Sequence, residues 1–451
     1  MFRKILIANR GEIAARIIRA CHEMGVAAIA VYSEADRDSL PVRLADEAYC
    51  IGPSQAKRSY LDMARLIETA RACEADAIHP GYGFLSESAD FADVCANYGI
   101  AFIGASGEAI RRMGDKAMAR ATMMHAGVPV VPGTEDVIRD EEEARRTADA
   151  IGYPVLIKAT AGGGGKGMRV VEDADELTRA LRQASMEAER SFGNAGVYLE
   201  KYLPRSRHVE IQIMADNYGD VVYLGERDCS TQRRHQKVIE ESPSPIMTPA
   251  LRKCMGEAAV LAAKAVDYSG AGTVEFIITD DGQFYFMEMN TRIQVEHPVT
   301  EMVTGVDLVK AQITVAAGEK LPWTQQDIRM NGWAIECRIN AEDPLHNFMP
   351  CPGTLTRYTP PFGRGIRVDS AMYRGCVITP FYDSMIAKLI VWAPTRDEAI
   401  EKMEKALSDF KIEGVLTNIT LQKKILQTPV FRRGDMHTSD LEDHLEAILN
   451  T

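Results

Sequence analysis

Residues 273–289, which read TVEFIITDDGQFYFMEM, decide the fold of the central part of the chain. Asp281-Gly282 between two apolar runs predicts a β-hairpin with a two-residue type I′ turn. In that register Glu275 lies directly opposite Glu288, on the same side of the sheet, with Cβ atoms about 5 Å apart. Two like charges so placed destabilise a hairpin unless a proton or a cation lies between them. We therefore expect Mg²⁺ here, held by the two carboxylates and by the phosphates of a substrate.

The residues that follow, MNTRIQVEHP, continue the pattern. If the chain stays extended, alternate residues project to one side. The resulting row offers an amide for the metal, a guanidinium for an anion, a second amide and a carboxylate base: Glu288, Asn290, Arg292, Gln294 and Glu296. The opposite face would be apolar, with Phe276, Ile278, Tyr285, Met287, Ile293 and Val295. A solvated polar edge strand is the alternative, and the clean apolar face argues against it.

Strands and helices alternate in the first 110 residues. An apolar strand at 2–8 precedes an amphipathic helix at 12–24, and the strands VAAIAVY, AIHP and AFIG follow with helices between them. This order predicts a doubly wound parallel sheet, which binds ligands beyond the carboxyl ends of its strands. The first turn, NRGEIA, carries one glycine and lacks the dinucleotide fingerprint, so we expect no bound NAD.

A smaller α+β unit is predicted next, inserted in a larger one. Its strand PVLIK (154–158) leads into the loop ATAGGGGKG, and a long helix follows from 173 to about 192. Four consecutive glycines can turn their N–H groups toward one anion. No Gly-Lys-Ser/Thr ends the loop, so it is not a Walker loop. A flexible surface turn remains possible, but a flap over nucleotide phosphates, with Lys158 and Lys166 adding charge, fits better.

The segment Glu226–Lys237 concentrates cations. Read as one strand, it places Arg233, His235 and Lys237 on one side. A solvated charge run is the usual explanation of such a segment. The alternative is an anion pocket that faces the carboxylate–metal site.

Composition excludes several classes of protein. The 451 residues are long enough for about three domains, and Asp+Glu 64 against Lys+Arg 52 gives a net charge of -12, which disfavours nucleic-acid binding. Apolar runs are too short for a membrane span, and the amino-terminal residues do not resemble a signal peptide. The nine cysteines form no CxxC pair, so we expect a reduced, cytoplasmic protein.

Several long motifs in this order resemble the ATP-grasp enzymes, and among them the biotin carboxylases. They are IANRGEIAARIIRA (7–20), HPGYGFLSE (79–87), ATAGGGGKGM (159–168), EKYL (200–203), GERDCSTQRRHQK (225–237), EMNTRIQVEHPVTE (288–301) and YDSMIAKLI (382–390). The resemblance implies three domains: an N-terminal α/β domain at 1–114, an ATP-grasp domain at 115–330 with a mobile lid at about 131–203, and a C-terminal mixed α/β domain at 331–451.

The same resemblance assigns the sites. The ATP-binding residues would be Lys116, Lys158, Gly164, Gly165, Glu200, Lys201, Tyr202, Leu203, His208, Gln232, His235, Glu275 and Glu288. Glu275, Glu288 and Asn290 would hold Mg²⁺ or Mn²⁺. Bicarbonate would lie on Lys237, Arg292, Gln294 and the backbone of Val295, with Glu296 as the base. Arg338 and Tyr82 would meet biotin, and Arg292, Glu296, Lys237 and Arg338 would carry the catalysis. A homodimer would form through a face with Arg19 and Glu23, whose spacing also suits an ordinary ion pair within one helix.

The implied reaction is the first half-reaction of acetyl-CoA carboxylase in fatty acid synthesis, in which bicarbonate, activated by ATP as carboxyphosphate, carboxylates biotin. No lysine is flanked by methionines, and the chain length leaves no room for a carboxyltransferase. We therefore expect a separate biotin carboxyl carrier protein and separate carboxyltransferase subunits. Three alternatives remain open: a component of a pyruvate or other acyl carboxylase, an ATP-grasp ligase that joins a carboxylate to an amine, and a nucleotide-binding regulator.

Overall fold

The computed structural model describes residues 1–134, 137–138, 140–160 and 168–450, leaving aside the Phe192 side chain. Within these ranges no helix combines the length and the apolarity that a membrane span requires. All nine cysteines are free thiols.

The amino-terminal sheet has five strands, β1 (Lys4–Ile7), β2 (Ala27–Ser33), β3 (Glu47–Gly52), β4 (Ala77–His79) and β5 (Ala101–Phe102). They run parallel in the order β3-β2-β1-β4-β5. The helices are α1 (Gly11–Glu23), α2 (Leu40–Leu44), α3 (Met63–Ala72), α4 (Ala89–Asn97) and α5 (Gly107–Gly114). Ile5 and Ile7 pack in one core cluster and Leu6 in another, so both faces of β1 are covered. The predicted doubly wound parallel sheet is confirmed.

Helix α6 (Lys116–His125) leads into a small unit with its own core. The unit contains helix α7 (Glu141–Ile151), helix α8 (Ala174–Phe192) and an antiparallel sheet in the order β7-β6-β8, formed by β6 (Val155–Ala159), β7 (Met168–Val171) and β8 (Val197–Lys201). Ala144, Ile157 and Leu181 belong to a cluster separate from the other cores. The Asp173 side chain caps the first turn of α8. The predicted inserted α+β unit is thus confirmed.

One eight-stranded antiparallel sheet forms the centre of the molecule. Its strands are β9 (Ser206–Ala215), β10 (Val221–Arg233), β11 (Gln236–Ser242), β12 (Gly270–Thr279), β13 (Phe284–Asn290), β14 (Trp333–Asn340), β19 (Ile366–Ser370) and β21 (Met385–Ala393). Their order is β13-β12-β9-β10-β11-β14-β21-β19. Helix α9 (Pro249–Lys264) packs on β9 and β10. The predicted boundary near residue 330 falls between strands of this one sheet, because β11 pairs with β14.

The remaining elements surround that sheet. The short strands are β15 (Glu342–Asp343), β16 (Met349–Pro350), β17 (Gly353–Thr354), β18 (Arg357–Thr359), β20 (Val377–Ile378) and β22 (Lys411–Glu413). The helices are α10 (His297–Thr304), α11 (Leu308–Ala316), α12 (Arg396–Asp409), α13 (Ile419–Gln427), α14 (Pro429–Arg432), α15 (Asp440–Asp443) and α16 (Leu445–Asn450). A single last helix over LEDHLEAIL was the wrong prediction, because His444 has φ −112° and ψ 7° and separates α15 from α16.

Candidate active site

The hairpin β12–β13 brings two carboxylates together. Glu275 and Glu288 are directly paired, as predicted. The predicted two-residue turn is wrong, because Thr279 pairs with Gln283 around a three-residue loop that ends at Gly282, with φ +80°. Such a loop suits a glycine in the left-handed region. A register shift at Met287 follows, so that the pairing of Glu275 with Glu288 is restored.

The predicted extended row after Glu288 is also wrong in its geometry. Strand β13 ends at Asn290, and α10 begins at His297. The backbone leaves the sheet because Thr291 N–H and the Arg292 guanidinium both donate to Glu87, at 3.1 and 2.8 Å. The amides of the row still converge: Asn290 Nδ2 and Gln294 Nε2 donate to Glu275 Oε1 at 2.9 and 2.7 Å.

The basic segment forms a second hairpin instead of the single predicted strand. Strands β10 and β11 are joined by Arg234 and His235, with φ +47° and +61°. A turn with two positive φ values matches the twist of paired strands. As a result, His235 lies in an exposed turn, while Gln232 and Lys237 are paired side by side. Arg233 points elsewhere and donates to Asn347 at 2.6 Å.

Lys237 is the centre of the site. Its ammonium donates to Glu210 at 2.5 Å, to Glu275 at 3.0 Å and to Glu296 at 2.5 Å. Burial disfavours the charge of Lys237, but the surrounding anions, these carboxylates among them, outweigh burial and hold its pKa well above the usual value. One cation therefore joins β9, β12 and the residue before α10.

Glu296 lies between two cations. Its Oε2 accepts from Arg338 Nη2 at 3.0 Å, and its Oε1 accepts from Lys237. Burial favours the neutral acid, but Lys237, Arg338 and Arg227 outweigh burial and hold the pKa of Glu296 below its usual range. Glu296 is therefore ionised at neutral pH and can accept a proton once a ligand displaces these cations.

The predicted metal ligands meet at the hairpin. His208 Nε2 lies 2.9 Å from Glu275 Oε2. Glu288 is more exposed and has Lys116 Nζ at 3.8 Å. Burial and the charge of Glu275 raise the pKa of Glu288. Two carboxylates that face each other and the Asn290 amide oxygen suit a hard divalent cation. These residues fit Mg²⁺.

The other predicted nucleotide residues lie around the small unit. Lys158 Nζ pairs with Glu200 at 2.5 Å. Lys201 donates to the carbonyls of Gly152 and Tyr153 at 2.9 and 3.0 Å. Tyr202 and Leu203 lie between β8 and β9. Gly164 and Gly165, with Lys166, lie outside the described residues.

The predicted biotin residues belong to two different parts of the network. Arg338 contacts Glu296 directly, whereas the Tyr82 hydroxyl donates to Glu12. Lys388, which is fully buried, pairs with Glu12 at 3.0 Å and donates to the Val295 carbonyl at 2.9 Å. Glu12 and Lys388 thus link Tyr82 to the Val295 backbone, which was predicted to bind bicarbonate.

Sequence reasoning missed Glu210 and Arg227, both fully buried. Arg227 Nε donates to Glu210 at 2.5 Å, and its other nitrogens reach Gln212 and Gln294. The alternation of polar with apolar residues in HVEIQI (208–213) was a signal for Glu210. For Arg227, nothing short of the strand order reveals its partners. At the predicted dimer face, Glu23 pairs with Lys310 at 2.6 Å.

Comparisons with known proteins cover nearly the whole chain. Three family models match consecutive parts of the chain. They are "Biotin carboxylase, N-terminal domain" at residues 1–110, "Carbamoyl-phosphate synthase L chain, ATP binding domain" at 115–324 and "Biotin carboxylase C-terminal domain" at 336–443. Biotin carboxylase 1 of Bacillus subtilis (strain 168) is 58% identical over 445 residues, which are 98% of this chain and 99% of that protein.

Two further relatives belong to carboxylases with other names. A pyruvate carboxylase subunit of Methanothermobacter thermautotrophicus is 56% identical over 448 residues, 99% of this chain and 91% of that protein. The biotin carboxylase domain dimer of Hydrogenobacter thermophilus 2-oxoglutarate carboxylase, solved with MgADP, ADP and bicarbonate, is 51% identical, has a TM-score of 0.94 and matches 99% of both chains. Models and relatives agree over both halves of the molecule, and the chain belongs to the biotin carboxylase family of ATP-grasp enzymes.

Proposed function

We propose that this protein carboxylates biotin on a separate carrier protein, with bicarbonate and ATP, in the first half-reaction of acetyl-CoA carboxylase. The observation that carries the proposal is the position of Glu296, an ionised carboxylate held between Lys237 and Arg338. This arrangement provides a base beside one cation suited to bicarbonate and a second suited to an anion of biotin.

The nucleotide would lie between the β6–β8 unit and the large sheet. Lys116 at the start of α6 and Lys158 on β6 would meet its phosphates, and Lys158 would exchange its partner Glu200 for them. Mg²⁺ held by Glu275, Glu288 and Asn290 would neutralise charge that develops on the transferred phosphoryl group.

Bicarbonate would bind on Lys237, Arg292, Gln294 and the Val295 backbone. The Gln294 side chain is oriented by Glu275 and Arg227, and the Val295 peptide by Lys388. Bicarbonate is a poor electrophile, so its carbon must be activated before it can react with biotin. Glu296 accepts the bicarbonate proton, and a bicarbonate oxygen then attacks the terminal phosphate of ATP. The products of this step are ADP and carboxyphosphate.

Carboxyphosphate breaks down to CO₂ and phosphate, and the phosphate removes the ureido proton of biotin. Arg338 would then leave Glu296 and stabilise the negative charge on the ureido oxygen. The nitrogen of biotin attacks CO₂ and forms carboxybiotin. Tyr82, fixed by Glu12, would line the approach of biotin.

An ADP-release assay tests this function. With Mg²⁺ and bicarbonate, free biotin should accelerate ADP release, and E296Q should abolish the bicarbonate-dependent rate while it still binds ADP. An enzyme that cleaves ATP at the same rate with and without biotin would contradict the proposal. Dimer formation through the Arg19–Glu23 face is part of it and is tested by ultracentrifugation of E23R.

Service in a pyruvate carboxylase is the second candidate, because the Methanothermobacter relative is 56% identical over 99% of this chain. The carriers and carboxyltransferases encoded by the same genome separate the candidates when each is purified and mixed with this protein. Labelled bicarbonate should enter malonyl-CoA with acetyl-CoA as the acceptor. Incorporation only with pyruvate or 2-oxoglutarate would favour the second candidate. We also propose a cytoplasmic location, supported by the nine free thiols.

A further inference from the structure

A second pair of carboxylates lies across neighbouring strands, separate from Glu275 and Glu288. Glu240 on β11 and Glu336 on β14 are direct partners in the strand register. Both side chains are fully buried. Direct cross-strand partners have Cβ atoms about 5 Å apart on one face of the sheet. Arg338, two residues beyond Glu336, shares that face.

The hydrogen bonds of this pair are incomplete. Glu240 Oε1 accepts from Arg338 Nε at 2.6 Å. The other three carboxylate oxygens, Glu240 Oε2 and both oxygens of Glu336, have no hydrogen-bond partner within the described part of the chain. Two adjacent buried carboxylates that both carried a charge would be costly. If one proton lies between the two carboxylates, a protonated Glu336 oxygen can donate a hydrogen bond to Glu240 Oε2, and two of the three oxygens then have a partner.

The groups around the pair come from every element packed against it. They are Lys237 on β11, Arg338 on β14, Lys388 on β21, Glu296 just before α10, and Cys229 on β10. Burial raises the pKa of Glu240 to about 7, against the opposing effect of Arg338. Burial and the charge of Glu240 raise the pKa of Glu336 well above its usual value, although Lys388 opposes the shift. These directions agree with a proton retained at neutral pH.

We propose that Glu240 and Glu336 share one proton and act as positioning residues that hold Arg338 for the anion of biotin. The inference rests on the proposed function. Arg338 bridges the two carboxylates: Nε and Nη2 lie 2.6 and 2.5 Å from Glu240 Oε1, and Nη2 also reaches Glu296 Oε2 at 3.0 Å. Because Glu240 holds both nitrogens on one side of the guanidinium, Arg338 can exchange Glu296 for the ureido oxygen of biotin while it stays on Glu240. A protonated Glu336 hydrogen-bonded to Glu240 reduces the attraction that competes with biotin, and it keeps the guanidinium oriented.

The test uses paired substitutions in the full chain. E240Q keeps the shape but removes the charge, and it should raise the KM for biotin at least 10-fold while the biotin-independent, bicarbonate-dependent ADP release stays within 2-fold. The pH profile of biotin-dependent kcat/KM should also lose its inflection near pH 7. E336Q retains a donor to Glu240 and should stay within 2-fold of wild type, whereas E336L should resemble E240Q.

Glu241 provides the matched control. It is the next residue on β11, is buried, and pairs instead with Arg396 at 2.7 Å. E241Q should leave the KM for biotin unchanged, even if its thermal midpoint falls. An equal loss of both activities in E240Q, an unchanged pH profile, or E336Q as impaired as E336L would overturn the inference.

Infrared difference spectroscopy gives a readout that does not depend on activity. At pH 7 the spectrum of wild type minus E336Q should contain the carbonyl stretch of a protonated carboxylic acid. If this band is missing, the shared proton is refuted, even if wild type shows full biotin-stimulated ADP release. If the band is present but wild type ignores biotin, the proton stands, whereas the proposed function and the role of the pair in biotin binding are both wrong.

Discussion

Replacing Lys237 should damage both stability and catalysis, because one ammonium neutralises three buried carboxylates. Glu210, Glu275 and Glu296 lie at 2.5, 3.0 and 2.5 Å from Nζ, and their side chains are 0%, 5% and 2% exposed. Removal of one partner from a buried ion pair costs about 3–5 kcal/mol. We expect K237Q to lose at least this much of the free energy of unfolding at pH 8.

The loss should depend on pH in a defined direction. In wild type the pKa values of Glu275 and Glu296 lie below their usual ranges, so this part of the stability is present at neutral pH and is lost as pH falls through the depressed values. In K237Q the clustered carboxylates have raised pKa values and gain stability as they bind protons. The difference in stability between the two proteins should therefore shrink from pH 8 to pH 5.

The measurements are thermal midpoints across that pH range and bicarbonate-dependent ADP release at pH 8. Release should fall at least about 100-fold, the lower limit for loss of a positioned proton acceptor, because Glu296 would lose a group that holds it in place and bicarbonate would lose a cation. K253Q is the matched control. Lys253 lies 3.8 Å from Glu257 with both side chains mostly exposed, and its loss should change stability by less than about 0.5 kcal/mol. Wild-type stability in K237Q at pH 8, or a deficit independent of pH, would refute the reasoning.

Three further variants test other parts of the network. E288Q should raise the Mg²⁺ concentration needed for half-maximal ADP release at least 10-fold, with little change in metal-free ADP binding measured by calorimetry, since the variant loses one carboxylate ligand. R292A should lower the turnover number by a larger factor than it raises the Kd for ATP; a large loss of ATP affinity with normal turnover would contradict the role of Arg292 in bicarbonate binding. Burial raises the pKa of Glu336, so the folded state retains a proton at pH values above the pKa of the unfolded state. The stability of wild type relative to E336Q should therefore fall by up to about 1.4 kcal/mol per pH unit as pH rises from 5. A difference in thermal midpoint that stays constant from pH 5 to 8 would contradict this last prediction.

Local patterns were sufficient to predict the elements that depend on neighbouring residues. Four of the five parallel strands and the inserted unit follow from apolar periodicity, whereas β3 (Glu47–Gly52) was not predicted. The same reasoning failed at Arg234 and His235, because neither residue is a glycine or an asparagine and both adopt positive φ. A continuous strand was therefore the natural but wrong prediction there.

Long-range contacts were beyond local patterns. Arg227 contacts Glu210 and Gln294 only because β9 and β10 are neighbours and the chain returns after β13 to cover them. The pairing of Glu240 with Glu336 likewise requires β11 to lie beside β14. The same strand pairing brings Arg338 to Glu240, although 98 residues separate the two in the sequence. Any sequence with alternating charges on these strands permits other strand orders, so these contacts become visible only in the assembled sheet.

The β12–β13 hairpin explains how a wrong turn can still lead to a correct site. With the observed three-residue loop, Phe284 and Phe286 face the core with Phe276 and Ile278. Strict alternation from Phe286 would send Glu288 into that core, where an unpaired carboxylate is costly. The bulge at Met287 reverses the alternation, so Met289 faces the core and Glu288 pairs with Glu275. Tyr285 and Met287 were predicted to lie on the apolar face. They are not among the residues of this core cluster, so that part of the prediction is wrong. The extra residue at Met287 therefore puts Glu288 on the face that carries Glu275, where the metal would bind. The residues on either side of the bulge keep their apolar side chains in the core.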